Sequence, residues 1–142
     1  MKWYFASRTK HQQKLADLSR FLEAKGEVIK STWVYITEPL LPYHEHVEKV
    51  QKIATDDISE VLESDVFVLI SDPAGTDMFA ELGAALAKNT SSPRSIRIYI
   101  VGEHAKRSLM QLHPAITHLH SLKEVFEKES IDCGEFDLSS LV

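Results

Sequence analysis

Two carboxylates in this chain stand where the surrounding pattern gives them no plain structural duty, and carboxylates can act as nucleophiles or move protons. Glu81 lies in the run G-T-D-M-F-A-E-L-G-A-A-L, in the first turns of a helix that opens at Thr76 or Asp77. A capping-box glutamate sits three residues after its cap. Those positions are Phe79 and Ala80, so Glu81 is not that residue. Two readings stay open: an acid that satisfies the helix dipole, worth ~0.3–1 kcal/mol, or a nucleophile that the same terminus helps keep ionised. Glu81 flanks the face formed by Met78, Leu82 and Ala85, which aims it along a sheet edge.

Asp57 belongs to a helix expected from about Val47 to Glu63. Advancing about 100° per residue gathers Val50, Ala54 and Val61 on one face, flanked by Ile53 and Ile58. Asp57 falls in the middle of that apolar stripe, whereas Asp56 points well off it. An unpaired carboxylate buried there would cost several kcal/mol, so it must be hydrogen-bonded, paired or facing a cavity. A bond to a nearby loop backbone and a place in a ligand site both meet that demand.

The elements that must position these acids alternate. Trp3 to Ala6 reads as a first strand, followed by a helix from about His11 to Lys25 with Leu15, Leu18 and Leu22 on one face and Gly26 as its stop. Val28 to Ile36 reads as a second strand, bringing Trp33 and Tyr35 near its carboxyl end, where an aromatic can stack on a base or simply pack in the core. Two prolines make residues 37–46 a loop. Val66 to Ile70, an unbroken apolar run, suits a strand covered on both faces. After the turn-rich Asp72, Pro73 and Gly75 comes a helix over 77–88, with Gly83 and Ala84-Ala85 allowing close approach to the sheet. A connector (89–93), a strand Ile96–Val101, a helical turn near 105–110, a strand Ile116–Leu119 and a helix Ser121–Glu129 follow. Residues 130–142 read as an irregular tail. Strands alternating with helices predict an α/β fold: one flavodoxin-like, Rossmann-like domain over 1–142, its five-stranded parallel sheet carrying helices on both faces. Ligands of such sheets bind beyond the carboxyl ends of the strands.

Sixteen basic against twenty-one acidic residues give a net charge of −5, which argues against binding a nucleic-acid polymer or an anionic membrane surface. A small anion needs only one local basic pocket. No apolar stretch approaches membrane-spanning length. The single cysteine, Cys133, excludes an internal disulfide, fits a reducing compartment, and has no neighbouring base to activate it. A cytoplasmic location is expected. His44 with His46, and His118 with His120, form H-x-H pairs that no cysteine or carboxylate completes, so no metal is expected. No dinucleotide or Walker-type glycine loop is present.

The chain resembles the nucleoside 2-deoxyribosyltransferase family, which includes the deoxynucleoside 5′-monophosphate N-glycosidases. The likeness rests on three segments: the opening K-W-Y-F-A-S, the run D-I-S-E-V-L-E-S-D-V-F-V-L-I with Asp57 and Asp65 eight positions apart, and the E-L-G-A-A segment at Glu81. His113-Pro114 resembles a feature of a bacterial branch. The resemblance implies cleavage of a nucleoside N-glycosidic bond, with Glu81 as nucleophile forming a glycosyl ester and Asp57 as the partner that orients it or shuttles a proton. It implies no cofactor, a small nucleoside or nucleotide as partner, and self-association into a homodimer or larger homo-oligomer. Base exchange is the first expectation. Hydrolysis of a nucleoside monophosphate, or a silent nucleotide-binding sensor, are the alternatives. Ser7, Arg8, Trp33, Asp72, Gly75, Thr76 and Asp77 are the candidate substrate contacts. The chain departs from the family in two places. Gly75 stands where transferases carry an acidic base-contacting residue, with Asp72 and Asp77 the nearest acids. The first loop, S-R-T-K-H from Ser7, lacks the glycines that help hydrolases hold a phosphate, leaving Ser7, Arg8 and Lys10 for that task unless they are ordinary surface groups.

Overall fold

The computed structural model describes residues 1–141. Strands β1 (Lys2–Ala6), β2 (Val28–Ile29), β3 (Val66–Ile70), β4 (Arg97–Val101) and β5 (Ile116–Leu119) form one sheet in the order β2-β1-β3-β4-β5. Every neighbouring pair is parallel. Helices α1 (Gln12–Ala24), α2 (Val47–Leu62), α3 (Asp77–Ser91) and α4 (Leu122–Lys128) cover it. This is the flavodoxin-like order, in which the chain reverses direction of travel between β1 and β3 and opens a crevice there.

The period-2 alternation of the strands sorts the core into two layers. Trp3, Phe5, Val66, Val68 and Tyr99 face α1 and α4, meeting Leu15, Leu18, Leu22, Leu122 and Phe126. Tyr4, Ala6, Phe67, Leu69, Ile98 and Ile100 face the other way, meeting Val61 of α2 and Met78, Leu82 and Ala85 of α3. Central β3 is fully buried along its length. Each large apolar side chain so enclosed contributes about 1.5–3 kcal/mol, so β1, β3, α1 and α3 form a stiff base for the groups at their ends.

Four expectations are corrected. The second strand ends at Ile29, and Thr32–Tyr35 is a 3-10 turn instead. The Phe5 amide donates to the Ser31 hydroxyl (3.1 Å), and the Thr32 hydroxyl binds both oxygens of Glu60 (2.7 and 2.8 Å). These side-chain bonds replace the ladder and bend the chain away from β1. Helix α3 runs through Asn89 and Thr90 to Ser91, because the Asn89 amide donates to the carbonyls of Pro93 and Ile96 (both 3.1 Å) and so bridges the expected connector. The helical turn expected near 105–110 is a 3-10 turn at Met110–Leu112. Gly83 is exposed with open space where a Cβ would stand, so the close approach of α3 to the sheet is made by fully buried Ala85. The segment after α4 is irregular up to a 3-10 turn at Ser139–Leu141, yet Phe136, Leu138 and Leu141 pack on the core. No helix among the described residues is long and apolar enough to cross a membrane.

Candidate active site

Glu81 lies one turn into α3 on the flank that overhangs β1. It is 8% exposed. The alternation of β1 turns Tyr4 to this side of the sheet, and its hydroxyl donates to Glu81 Oε2 at 3.0 Å. Tyr4 is itself fully buried and stacked on Phe67 (5.8 Å between ring centres, 5° between planes), so its hydroxyl is a fixed donor. One carboxylate oxygen is thereby anchored, while the side chain also lines a cleft of about 560 Å³, a size usual for small-ligand sites.

Helix α2 forms one wall of that cleft. The stripe read as core faces it: Val50, Ile53, Ala54, Asp57 and Ile58 all line the space, and only Val61 of the stripe is fully buried. Ala54 is exposed, and Ile58 is 39% exposed. Asp57 therefore meets its requirement by facing a cavity, and Asp56 turns away to pair with Lys52 (2.5 Å). The opposite wall is built by Gln12, Trp33 and Ile36, and loop residues Leu40, Leu41 and Tyr43 close the far side. Gln12 holds that wall in place by donating to the carbonyls of Trp33 (2.9 Å) and Ile36 (2.5 Å). The Trp33 indole N–H donates to the Phe5 carbonyl (2.8 Å), which fixes the ring in a 3-10 turn rather than on a strand. Tyr35 lies elsewhere, packed on the core with the Arg20 guanidinium over its ring.

The electrostatics of the two acids follow from this enclosure. Burial pushes Glu81 up first, the charge of Asp57 adds to it, and the Tyr4 bond pulls it partly back, leaving it at about 8. Burial likewise raises Asp57, helped by Glu60, Asp56 and Asp77, to about 7. The helix terminus expected to keep Glu81 ionised is thus outweighed by desolvation and like charge. Near neutrality the pair shares protons as one coupled unit. Tyr4 is raised as well, by burial and then by Glu81, so it remains a neutral donor.

Of the remaining candidates, Ser7 and Asp77 line the cleft together with Trp33. Arg8, Asp72, Gly75 and Thr76 do not. Asp72 is 2% exposed and lies in a second hollow of about 440 Å³, with Lys10, His11, Ser71, Gly102, His104 and His120. It takes an ion pair from Arg8 (3.3 Å), a closer one from Lys10, and the Ala74 amide (2.9 Å). Burial pushes its carboxyl up, but these partners overcome that and hold it at about 2. Gly75 serves the backbone: its φ of +113° lies in the region that side-chain-bearing residues rarely adopt. Thr76 precedes α3 without a side-chain cap bond. Among the described residues no group of three or more histidine, cysteine or acidic side chains is placed to hold a metal ion.

Among the residues that shape the site, Tyr4, Gln12 and Glu60 were not singled out from the sequence, nor were Thr9 and Glu38 in the cleft lining. Tyr4 carried a signal, a hydroxyl on an otherwise apolar buried strand with the parity opposite to Trp3 and Phe5. Glu60 carried a weaker one, lying one helical turn beyond Asp57. Gln12 carried none, since its work is to bind backbone carbonyls distant in sequence.

No protein-family model matches the chain, and no curated protein matches it. Among solved structures, the CMP N-glycosidase BcmB of Clostridium botulinum is similar, with a TM-score of 0.53 at 20% sequence identity. The match covers 92% of this chain and 98% of that one. At this identity the likeness is one of fold.

Proposed function

We propose that the protein cleaves the N-glycosidic bond of a nucleoside or nucleotide through a glycosyl ester on Glu81, most readily as base exchange between deoxynucleosides. One observation carries this reading: a carboxylate nine-tenths buried, anchored on one oxygen by Tyr4, lines a cleft of sugar-and-base size whose facing helix presents Asp57. The fold shared with a CMP N-glycosidase supports the same bond type.

In this mechanism a Glu81 oxygen attacks C1′ as the N-glycosidic bond breaks. The electron pair leaves with the base, which takes a proton from Asp57. Between about 7 and 8 the two acids hold roughly one proton between them, the count this step needs. Positive charge developing at C1′ draws the negative charge onto Glu81 and leaves the proton on Asp57. A second base, or water, then attacks C1′ from the vacated side. The ester bond breaks, Glu81 is regenerated, and the incoming group returns a proton to Asp57. Trp33 offers its fixed ring as a face for the base, and Ser7 a hydroxyl near the sugar.

Mixing a deoxynucleoside with a second free base and separating the products by chromatography tests the reading. A new nucleoside establishes exchange, and free base with free sugar establishes hydrolysis. Neither product, across purine and pyrimidine donors, would remove the enzymatic reading.

A further inference from the structure

We propose that the cleft accepts nucleosides without a phosphate and turns away their 5′-monophosphates, and that Asp72 sets this preference by withholding Arg8 and Lys10. The inference rests on the glycosidase reading above and narrows its substrate class.

The cleft carries an uneven set of charges. Among the described residues, Glu38, Asp57, Asp77 and Glu81 line it, and no lysine or arginine does. Of these four acids only Glu38 has a cationic partner among the described residues, Lys49 at 2.8 Å. A phosphate dianion entering this space meets acids that no cation of the lining offsets, and Glu38 and Asp77 are exposed, so dissolved salt screens the repulsion.

The connection from β1 to α1 contains the two cations that would remedy this, but it sends them elsewhere. Ser7 and Thr9 line the cleft, and the residues between and after them, Arg8 and Lys10, reach Asp72. Arg8 and Lys10 are themselves about half exposed (46% and 55%), and the enclosure is on the side of Asp72. Asp72 is almost wholly enclosed, and the guanidinium of Arg107 binds its backbone carbonyl (3.3 Å). Releasing Arg8 and Lys10 to a phosphate would strand a buried carboxylate, a cost that an exposed partner would not impose. A neutral sugar and base need neither cation.

The test is titration calorimetry with 2′-deoxyadenosine and 2′-deoxycytidine against their 5′-monophosphates, with base release followed in the same samples. The wild-type protein should bind the better nucleoside about tenfold or more tightly than its monophosphate, and added salt should narrow the gap. Asp72→Asn keeps the side chain's size and an acceptor for the Ala74 amide while freeing Arg8 and Lys10. It should tighten the monophosphate by about threefold or more. If that variant does not fold, Arg8→Gln and Lys10→Gln decide: each should change the ratio of the two affinities by less than about twofold. A monophosphate that binds as tightly as its nucleoside, or loses about tenfold affinity in either glutamine variant, overturns the inference while leaving the glycosidase reading intact. Nucleosides bound selectively but never cleaved would leave the charge preference standing and end the glycosidase reading. Binding of none of the four compounds would overturn both.

Discussion

Replacing Tyr4 with phenylalanine removes one oxygen atom. The ring is fully buried and stacked on Phe67, so Tyr4→Phe preserves packing and deletes only the 3.0 Å bond to Glu81. A hydrogen bond to a charged acceptor is worth about 1.5–3 kcal/mol, and one pKa unit corresponds to about 1.4 kcal/mol. The bond favours the ionised carboxylate, so its loss raises Glu81 by about one to two units above its present value. Catalysis in the proposed mechanism requires Glu81 ionised. The active form holds one proton, on Asp57, so the parent pH–rate profile rises near 7 and falls near 8; raising Glu81 draws that shared proton from Asp57 and moves the falling limb to higher pH. The share of one-proton enzyme that has Glu81 ionised falls as Glu81 rises, so the rate at the top of the bell drops about ten- to a hundredfold. The assay is base release measured from pH 5.5 to 10.5. A variant that keeps the parent rate, or whose falling limb stays in place, would refute the assignment of Tyr4 as the group that sets Glu81's ionisation.

Asp57→Asn should leave a profile that only rises, with Glu81 ionising below about 8 because the negative charge that helps hold it up is removed; turnover should fall most for bases that leave only when protonated, and a retained fall at higher pH would contradict this. Glu81→Gln should stabilise the fold under alkaline conditions. With its folded value raised, Glu81 binds more protons in the native state than in the unfolded one between about 4.5 and 8, so stability falls as pH rises through that window. The amide lifts this cost, and urea unfolding should show a gain of about 1–3 kcal/mol at pH 9 that fades by pH 5. Gly83→Ala, on the exposed side of α3 with open space for the new methyl, should add about 0.5–1 kcal/mol without altering base release; a loss of stability would show that α3 packs more tightly than described.

The sheet was readable because its signals are local. The uninterrupted apolar run at Val66–Ile70 and the leucine spacing of Leu15, Leu18 and Leu22 each demand one burial pattern, and each is fully buried. The second strand was misread because Val34 and Tyr35 have strand-like side chains, whereas the bonds that bend the chain come from Ser31 and Thr32 to partners on β1 and α2. That competition is tertiary, and no window of sequence contains it. The same distinction runs through the site. Asp57 and Glu81 stood out because their positions conflicted with the apolar pattern around them. The turn of Arg8 and Lys10 away from the cleft depends on where Asp72 lies in space, and spacing alone could not give it. Asp57's raised value, like that of Glu81, comes from enclosure and neighbouring charge, which only the folded chain supplies.

A 2-fluoro-2-deoxynucleoside offers the most direct measurement of whether position 81 is a nucleophile. The fluorine destabilises the oxocarbenium-like state of both steps, and the sugar ester accumulates where base departure outpaces ester breakdown. Intact mass spectrometry should show one added fluorodeoxyribosyl unit, and peptide mapping should place it on Glu81, with none on the Glu81→Gln protein. Base released from the fluorinated compound with no sugar retained on the protein, or sugar retained at any other residue, would contradict the account.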